Sequence, residues 1–349
     1  MKLRPMSLLL LASLGAIAAS AGAACLANGE VRQICGVQSP EDMELLPGGS
    51  DILISEMAGE KNQPGKFAVM QLASEALTEL KPEGAAANDW GDPACRQRTP
   101  DQISPHGFHL SRQSDGRWLL LAVNHGEQES VQAYDVARAG GQWRLQWRGC
   151  VDTRFNFNDL AATPDGFIGA HQYDKKMGEG ADAEKFLFGG GMTGYAVRWS
   201  RAAGFRKIPG TEAAYPNGIT VSADGKSAWL AATAGPRILK IDLLRNTRVA
   251  SARLPLYPDN LSWTADGKLL VTGTLDVHRL VRCADHNRDC PVPFAVARID
   301  PVTLKSSVIF RNDGQLLLGA SVAIIARGQL YIGSFAGDHL LRAPAPKGL

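Results

Sequence analysis

Oxygen-bearing side chains recur at one place in this sequence. Counting eight residues back from six successive turn glycines reaches Glu41, Phe108, Asn158, Asn217, Asp259 and Ala320. The residues that follow them include Asp42, Asp159, Asn260 and Ser321. Four of the six positions carry a carboxylate or a carboxamide, and such oxygens are the ligands of a hard divalent cation. Ca2+ takes roughly six to eight of them in irregular geometry. The carboxylates of Glu41 and Asp259 with the amide oxygens of Asn158, Asn217 and Asn260 make such a shell, near neutral with the ion in place and open to substrate or water. No cysteine and no cluster of histidines falls at these positions, which disfavours zinc or copper. Asp, Asn and Gly also gather at loop-to-strand junctions for turn reasons alone. Recurrence, rather than any single residue, is what points to a metal.

Two histidines bring a base. His106 stands at the same junction in the second unit, and His125 follows the next strand in Leu121-Ala122-Val123-Asn124-His125. An imidazole beside a metal takes a proton from water near neutral pH. A histidine that hydrogen-bonds a loop is the plainer reading, and His171 and His278 receive it. No Gly-x-Ser-x-Gly elbow occurs, so a serine hydrolase is disfavoured. Gly189-Gly190-Gly191 lacks the Lys-Ser/Thr that a phosphate loop needs.

The elements that hold these residues form a repeat. The turn glycines lie at 49, 116, 166, 225, 267 and 328, spaced 67, 50, 59, 42 and 61 apart. In Asp115-Gly116, Asp165-Gly166, Asp224-Gly225 and Asp266-Gly267 the glycine is expected to supply the positive φ of a hairpin turn. An apolar run follows each turn, such as Trp118–Val123 or Ala228–Thr233, and an alternating run comes next, such as Phe67–Leu72 or Ile238–Leu243. Several units add a fourth strand, as at Trp143–Trp147, Arg248–Leu254 and Lys305–Phe310. Units of about 40–50 residues with four strands each predict an all-β fold, a six-bladed β-propeller with a central metal-binding channel. The innermost strands run along that channel, so the counted positions converge at one mouth.

Residues 1–24 read as an address. Lys2 and Arg4 precede the apolar run Ser7–Ala19, and Ala21-Gly22-Ala23 is a signal-peptidase pattern. The run is too short to span a bilayer, so the mature chain, residues 25–349, is expected to be one exported domain with no transmembrane span. Lipid attachment at Cys25 is the minor rival, because Gly22 replaces the usual Leu. Six cysteines remain, an even number that suits disulfides in an exported chain. Cys283–Cys290 is the easiest pair; Cys95–Cys150 and Cys25–Cys35 follow by proximity. Asp285, His286, Asn287 and Asp289 between the first two invite a zinc reading, but the spacing fits no standard site. A net charge of +2 argues against a nucleic-acid partner.

At these residues the chain resembles the serum paraoxonase/arylesterase family. The resemblance runs from about Glu41 to Leu341 through Glu41-Asp42-Met43-Glu44-Leu45-Leu46-Pro47, Pro105-His106-Gly107, Val123-Asn124-His125, Asn158-Asp159, Asn217-Gly218-Ile219, Asp224-Gly225-Lys226 and Asp259-Asn260. It implies calcium-dependent lactonases on a six-bladed propeller and two Ca2+ ions. The catalytic ion would fall on Glu41, Asn158, Asn217, Asp259 and Asn260, in agreement with the repeat counting. A structural ion would fall on Asp42, Asp159 and the main-chain oxygen of Phe108, and a histidine dyad on His106 and His125. The chain departs from the family at His171-Gln172-Tyr173, in place of Asn-Asp-His, and near Thr274, in place of a histidine. Both changes alter the pocket wall. Animal members tie the N-terminus to a C-terminal cysteine, whereas no cysteine follows Cys290 here.

The expected function is therefore a periplasmic or secreted, calcium-dependent hydrolase of lactones and aryl esters, acting on a small-molecule substrate. The sequence is silent on oligomeric state. A gluconolactonase-like or strictosidine-synthase-like propeller enzyme is the alternative on the same architecture; sugar lactones would ask for more polar loops than Phe186-Leu187-Phe188. A non-catalytic propeller stabilised by calcium is the third reading.

Overall fold

The computed structural model describes residues 25–57, 64–84, 89–93, 95, 103–126, 128–178, 185–186, 189–284 and 290–348. Residues 1–24, the polar loop 285–289, and Leu187 and Phe188 lie outside the described residues. Six sheets follow one another around an axis, antiparallel except where Pro82–Glu83 and Trp90–Gly91 pair in parallel with Gln142–Asp152 of blade 2. Their innermost strands are Pro40–Leu45, Pro105–Arg112, Phe157–Thr163, Pro216–Val221, Tyr257–Trp263 and Ala320–Ala326, in blades 1 to 6. Each lies against the inner strand of the next blade, and the sixth against the first, so the ring closes. Fourth strands absent from the sequence reading are Leu77–Leu80 in blade 1 and Gly204–Lys207 in blade 3. They are short, and their sequences carry little alternation. Two short helices, Lys175–Gly178 and Val277–Ala284, sit on loops among the described residues. No helix there is long and apolar enough to cross a membrane.

Both faces of each blade are covered, and this explains the apolar runs. In Asp51–Glu56, Ile52 and Ile54 pack with Val322, Ile324 and Leu340 of blade 6, while Leu53 turns to Phe108 and Tyr134 of blade 2. The period of two along a strand thus divides its side chains between two neighbours. A core layer of this kind fills every junction between consecutive blades.

The turn glycines divide in their reasons. Gly49, Gly116, Gly225, Gly267 and Gly328 have φ of 64°, 87°, 66°, 72° and 73°. Gly166 does not use the left-handed region, contrary to expectation. A Cβ there would collide with the carbonyl oxygen of Trp199 on the neighbouring strand, so close approach is what requires glycine.

Closure is by strand pairing. Val31–Cys35 adds to the outer edge of His339–Pro344, with Arg32 opposite Arg342. Glu75 of blade 1 takes hydrogen bonds from both guanidiniums. Burial pushes its carboxyl up, but the two arginines more than reverse this and lower it. The three disulfides are Cys25–Cys35, Cys95–Cys150 and Cys283–Cys290, as proximity suggested, and no described cysteine is free. Disulfide bonding removes the thiolates on which a zinc site at Cys283 and Cys290 would depend.

Candidate active site

All six inner strands slip register near their starts. The irregularity falls at residue 41 in blade 1, then at 106–107, 158–159, 217–218, 259–260 and 321–322. A β-bulge bends its strand and re-aims a side chain. These bulges contain Glu41, His106, Asn158, Asp159, Asn217, Asp259 and Asn260, so the oxygen donors counted in the sequence sit where the backbone leaves regular pairing. Gly107 lies in one of them because a Cβ there would run into the carboxylate of Asp159.

The donors leave oxygens without partners. Oε2 of Glu41 and Oδ1 of Asn158, Asn217 and Asn260 are buried with no hydrogen bond. Two of the amides are oriented by neighbouring carboxylates. Asn260 donates to Oε1 of Glu41 at 2.8 Å, and Asn217 donates to the carboxylate of Asp259. With their nitrogens committed, their oxygens remain for something else. A buried polar atom left unpaired costs about 1–3 kcal/mol, and four such oxygens at one mouth suit the ligand set of a hard cation.

Charge makes the same demand. Burial raises the carboxyls of Asp42, Asp159 and Asp259 well above the usual carboxylate range, and neighbouring carboxylates add to it: Glu41 for Asp42 and Asp259, Asp42 for Asp159. Glu44, deeper in the channel, is raised by burial and by Asp42. Among the described residues no lysine or arginine pairs with any of them; the one ion-pair contact is His106 Nε2 to Glu41 Oε1, at 3.5 Å. Buried carboxylates persist in the charged form only when compensated.

Asp42 and Asp159 are held differently from the first set. Asp42 accepts from the main-chain N–H of Met43 at 2.8 Å and of Phe108 at 2.9 Å. Asp159 accepts from Leu160 at 2.6 Å and Ile219 at 2.7 Å. These bonds stitch blade 1 to blade 2 and blade 3 to blade 4, and each carboxylate oxygen keeps a second lone pair. The Phe108 ring packs between blades 1 and 2.

The histidines meet. His106 Nδ1 lies 2.8 Å from His125 Nε2, and His125 Nδ1 lies 2.7 Å from Oε2 of Glu129. Glu129 also accepts from Lys175. Burial lowers the His125 imidazole, and the Glu129 interactions offset this only in part. Burial pushes the Glu129 carboxyl up, but His125 and Lys175 more than reverse this and hold it low. The sequence reading missed Glu129 and Lys175. No spacing rule joins a residue at the end of one blade's hairpin to the loop of the next. His171 keeps its plain role, packed on Phe155 and Tyr195.

Aromatic rings border the mouth. Tyr215, just before the bulged strand of blade 4, has φ of 55°, a costly conformation for an aromatic residue. Its ring stacks on Tyr173 with centroids 5.8 Å apart, and Tyr173 meets Phe186 edge-on at 5.4 Å. Burial, then Tyr173 and the carboxylates of Asp259 and Glu41, push the Tyr215 hydroxyl upward, so it stays protonated. A cavity of about 320 Å³ lies at the opposite end of the blades, beside Asp165. Its Arg198 is already bonded to Asp165 and Asn246.

An arylesterase family model matches residues 184–341, which include Asn217, Asp259 and Asn260. The chain is 24% identical to human "Serum paraoxonase/arylesterase 1" over 84% of its length and 82% of that protein. It is 24% identical to human "Serum paraoxonase/lactonase 3" over the same shares. The likeness is to the paraoxonase/arylesterase family. Solved structures share the fold alone. A gluconolactonase from Xanthomonas campestris superposes with a TM-score of 0.52 at 15% identity, over 90% of this chain and 89% of that one. A luciferin-regenerating enzyme gives 0.53 at 12%, over 91% and 99%. Both share the propeller.

Proposed function

We propose that the chain is an exported, calcium-dependent hydrolase of lactones and aryl esters. The observation that carries this reading is the set of four unpartnered buried oxygens, on Glu41, Asn158, Asn217 and Asn260, beside a hydrogen-bonded histidine pair. Family likeness supports a hydrolase. Three disulfides and an apolar leader pattern support export.

Glu41, Asn158, Asn217, Asp259 and Asn260 would hold one Ca2+; Asp42, Asp159 and the main chain at Phe108 would hold a second that braces the blades. Bound calcium supplies a Lewis acid for a carbonyl oxygen and for the negative charge that develops on it. His106 Nε2 faces this mouth and takes a proton from water. The water oxygen bonds to the carbonyl carbon, the ester C–O bond breaks, and the leaving oxygen takes the proton back. His125 supports the charge that His106 gains. The Tyr173–Tyr215 wall gives a flat apolar surface to an aryl or acyl group.

The deciding experiment is hydrolysis of a lactone panel and phenyl acetate by residues 25–349, with calcium and then with chelator. Activity lost on chelation and restored by Ca2+ supports the reading. Inactivity across the panel with calcium-dependent melting would move the assignment to a non-catalytic binding propeller.

A further inference from the structure

The hydrogen-bonded line from the mouth does not end at the two histidines. It runs from His106 through His125 to Glu129, and Lys175 closes it, while Glu41 Oε1 stands 3.5 Å from His106 Nε2 as an ion-pair contact rather than a hydrogen bond. Its protons can be assigned only from the outer end. Glu129, paired with Lys175, is a carboxylate and has acceptor oxygens alone. His125 Nδ1, at 2.7 Å from it, therefore carries a proton. A neutral imidazole has one N–H, so His125 Nε2 is an acceptor. The partner 2.8 Å away, His106 Nδ1, must then be the donor. His106 is left with its lone pair on Nε2, the nitrogen that faces the mouth. The inner end favours the reverse, because the Glu41 carboxylate 3.5 Å from Nε2 offers only acceptor oxygens, so the proton on Nδ1 depends on the outer anchor.

The backbone holds the anchor in place. His125 and Glu129 end the two strands of one hairpin, Trp118–Asn124 and Ser130–Ala139. The His125 N–H donates to the Ser104 carbonyl at 2.9 Å, and the Glu129 carbonyl accepts from Thr153 at 3.0 Å. Lys175 comes from the blade 3 loop that also carries Tyr173, so the pair joins two blades above the dyad.

We propose that Glu129, steadied by Lys175, is a positioning residue that fixes both imidazoles in the Nδ1–H form and so keeps Nε2 of His106 unprotonated at the mouth. Its consequence for rate rests on the hydrolase reading; the proton arrangement itself does not. Without the carboxylate, His125 returns to the Nε2–H form that imidazoles favour in water. It then points a donor at His106 Nδ1, and His106 moves its own proton to Nε2. One substitution inverts the whole line.

The test is long-range nitrogen–proton correlation NMR of residues 25–349 labelled at histidine nitrogen, near pH 8, with His106→Gln and His125→Gln giving the assignments. The wild-type chain is expected to show Nδ1–H for both histidines. Glu129→Leu is expected to move both to Nε2–H and to lower kcat roughly 100-fold, with KM and calcium-dependent melting unchanged. Glu129→Gln, which restores an acceptor oxygen, is expected to recover the wild-type spectrum and at least about tenfold of the rate. Nε2–H on His125 in the wild-type chain overturns the proposal, and that spectrum decides even if Glu129→Leu does not fold. An unchanged spectrum in folded Glu129→Leu overturns it equally. A wild-type chain with the expected spectrum and no hydrolysis would remove the hydrolase reading and leave the positioning role standing.

Discussion

Asn260 of blade 5 reaches across the channel mouth to Glu41 of blade 1, donating its amide to Oε1 at 2.8 Å and to the main-chain oxygen at 3.2 Å. This fixes which end of the amide faces the mouth. The nitrogen is consumed, and Oδ1 is left bare beside Oε2 of Glu41. Asn260→Leu removes a donor that aligns Glu41 together with one of the free oxygens. Calcium affinity, read by titration calorimetry on chelator-treated protein, is expected to fall at least about tenfold, or 1.4 kcal/mol. An unchanged affinity would take Asn260 out of the shell.

Metal and pH should be linked. Without metal, the raised carboxyls of Asp42, Asp159 and Asp259 keep protons that the unfolded chain has released above about pH 4. The native state then binds more protons than the unfolded one, so stability falls as pH rises through that window. On the proposed reading calcium would displace those protons, so its stabilisation would grow with pH. The histidines lowered by burial, His109, His125 and His171, act in the opposite direction, losing stability as pH falls. They are present with and without calcium. The calcium-induced rise in Tm is therefore expected to be larger at pH 8 than at pH 5.5, by differential scanning fluorimetry. A pH-independent increment would count against these carboxylates as the metal's ligands.

His106→Gln would separate the proposed base from the proposed metal. Loss of a general base costs about 10²–10⁴ in rate, while none of the four unpartnered oxygens is touched. Stopped-flow hydrolysis is expected to fall by that factor, with calcium affinity within about threefold of wild type. Full activity in the variant would dismiss the dyad.

The aromatic wall should show in substrate preference. Tyr215→Ala removes the ring stacked on Tyr173, and such pairs are worth about 0.5–1.5 kcal/mol. KM for phenyl acetate is expected to rise roughly two- to tenfold, against little change for a small aliphatic lactone. Equal changes for both substrates would mean that the ring shapes the loop rather than the pocket.

Ring closure has its own test. Glu75→Ala leaves Arg32 and Arg342 facing each other across the strands that close the ring. The two arginines are partly exposed and water screens the pair, so the cost is about 1 kcal/mol. Tm is expected to drop by about 1–2 °C, and added salt to narrow the difference. A salt-insensitive loss would point to packing instead.

Much of this molecule was legible before folding because it repeats. Recurring glycine turns, four of them Asp-Gly, with apolar runs after them and alternating runs beyond, specify blades through local rules of turn geometry and strand period. Once there are six, ring geometry brings every inner-strand start to one mouth. Glu41, Asn158, Asn217, Asp259 and Asn260 could therefore be grouped by counting alone. The choice of proton-bearing nitrogens, amide orientations and ion-pair partners could not. The bulge at each inner strand, the Asn260–Glu41 bond, the Glu129–Lys175 anchor and the pairing of Val31–Cys35 with His339–Pro344 depend on atoms far apart in the chain. Hydrogen bonds are decided over tenths of an ångström, and only the closed ring sets distances at that scale.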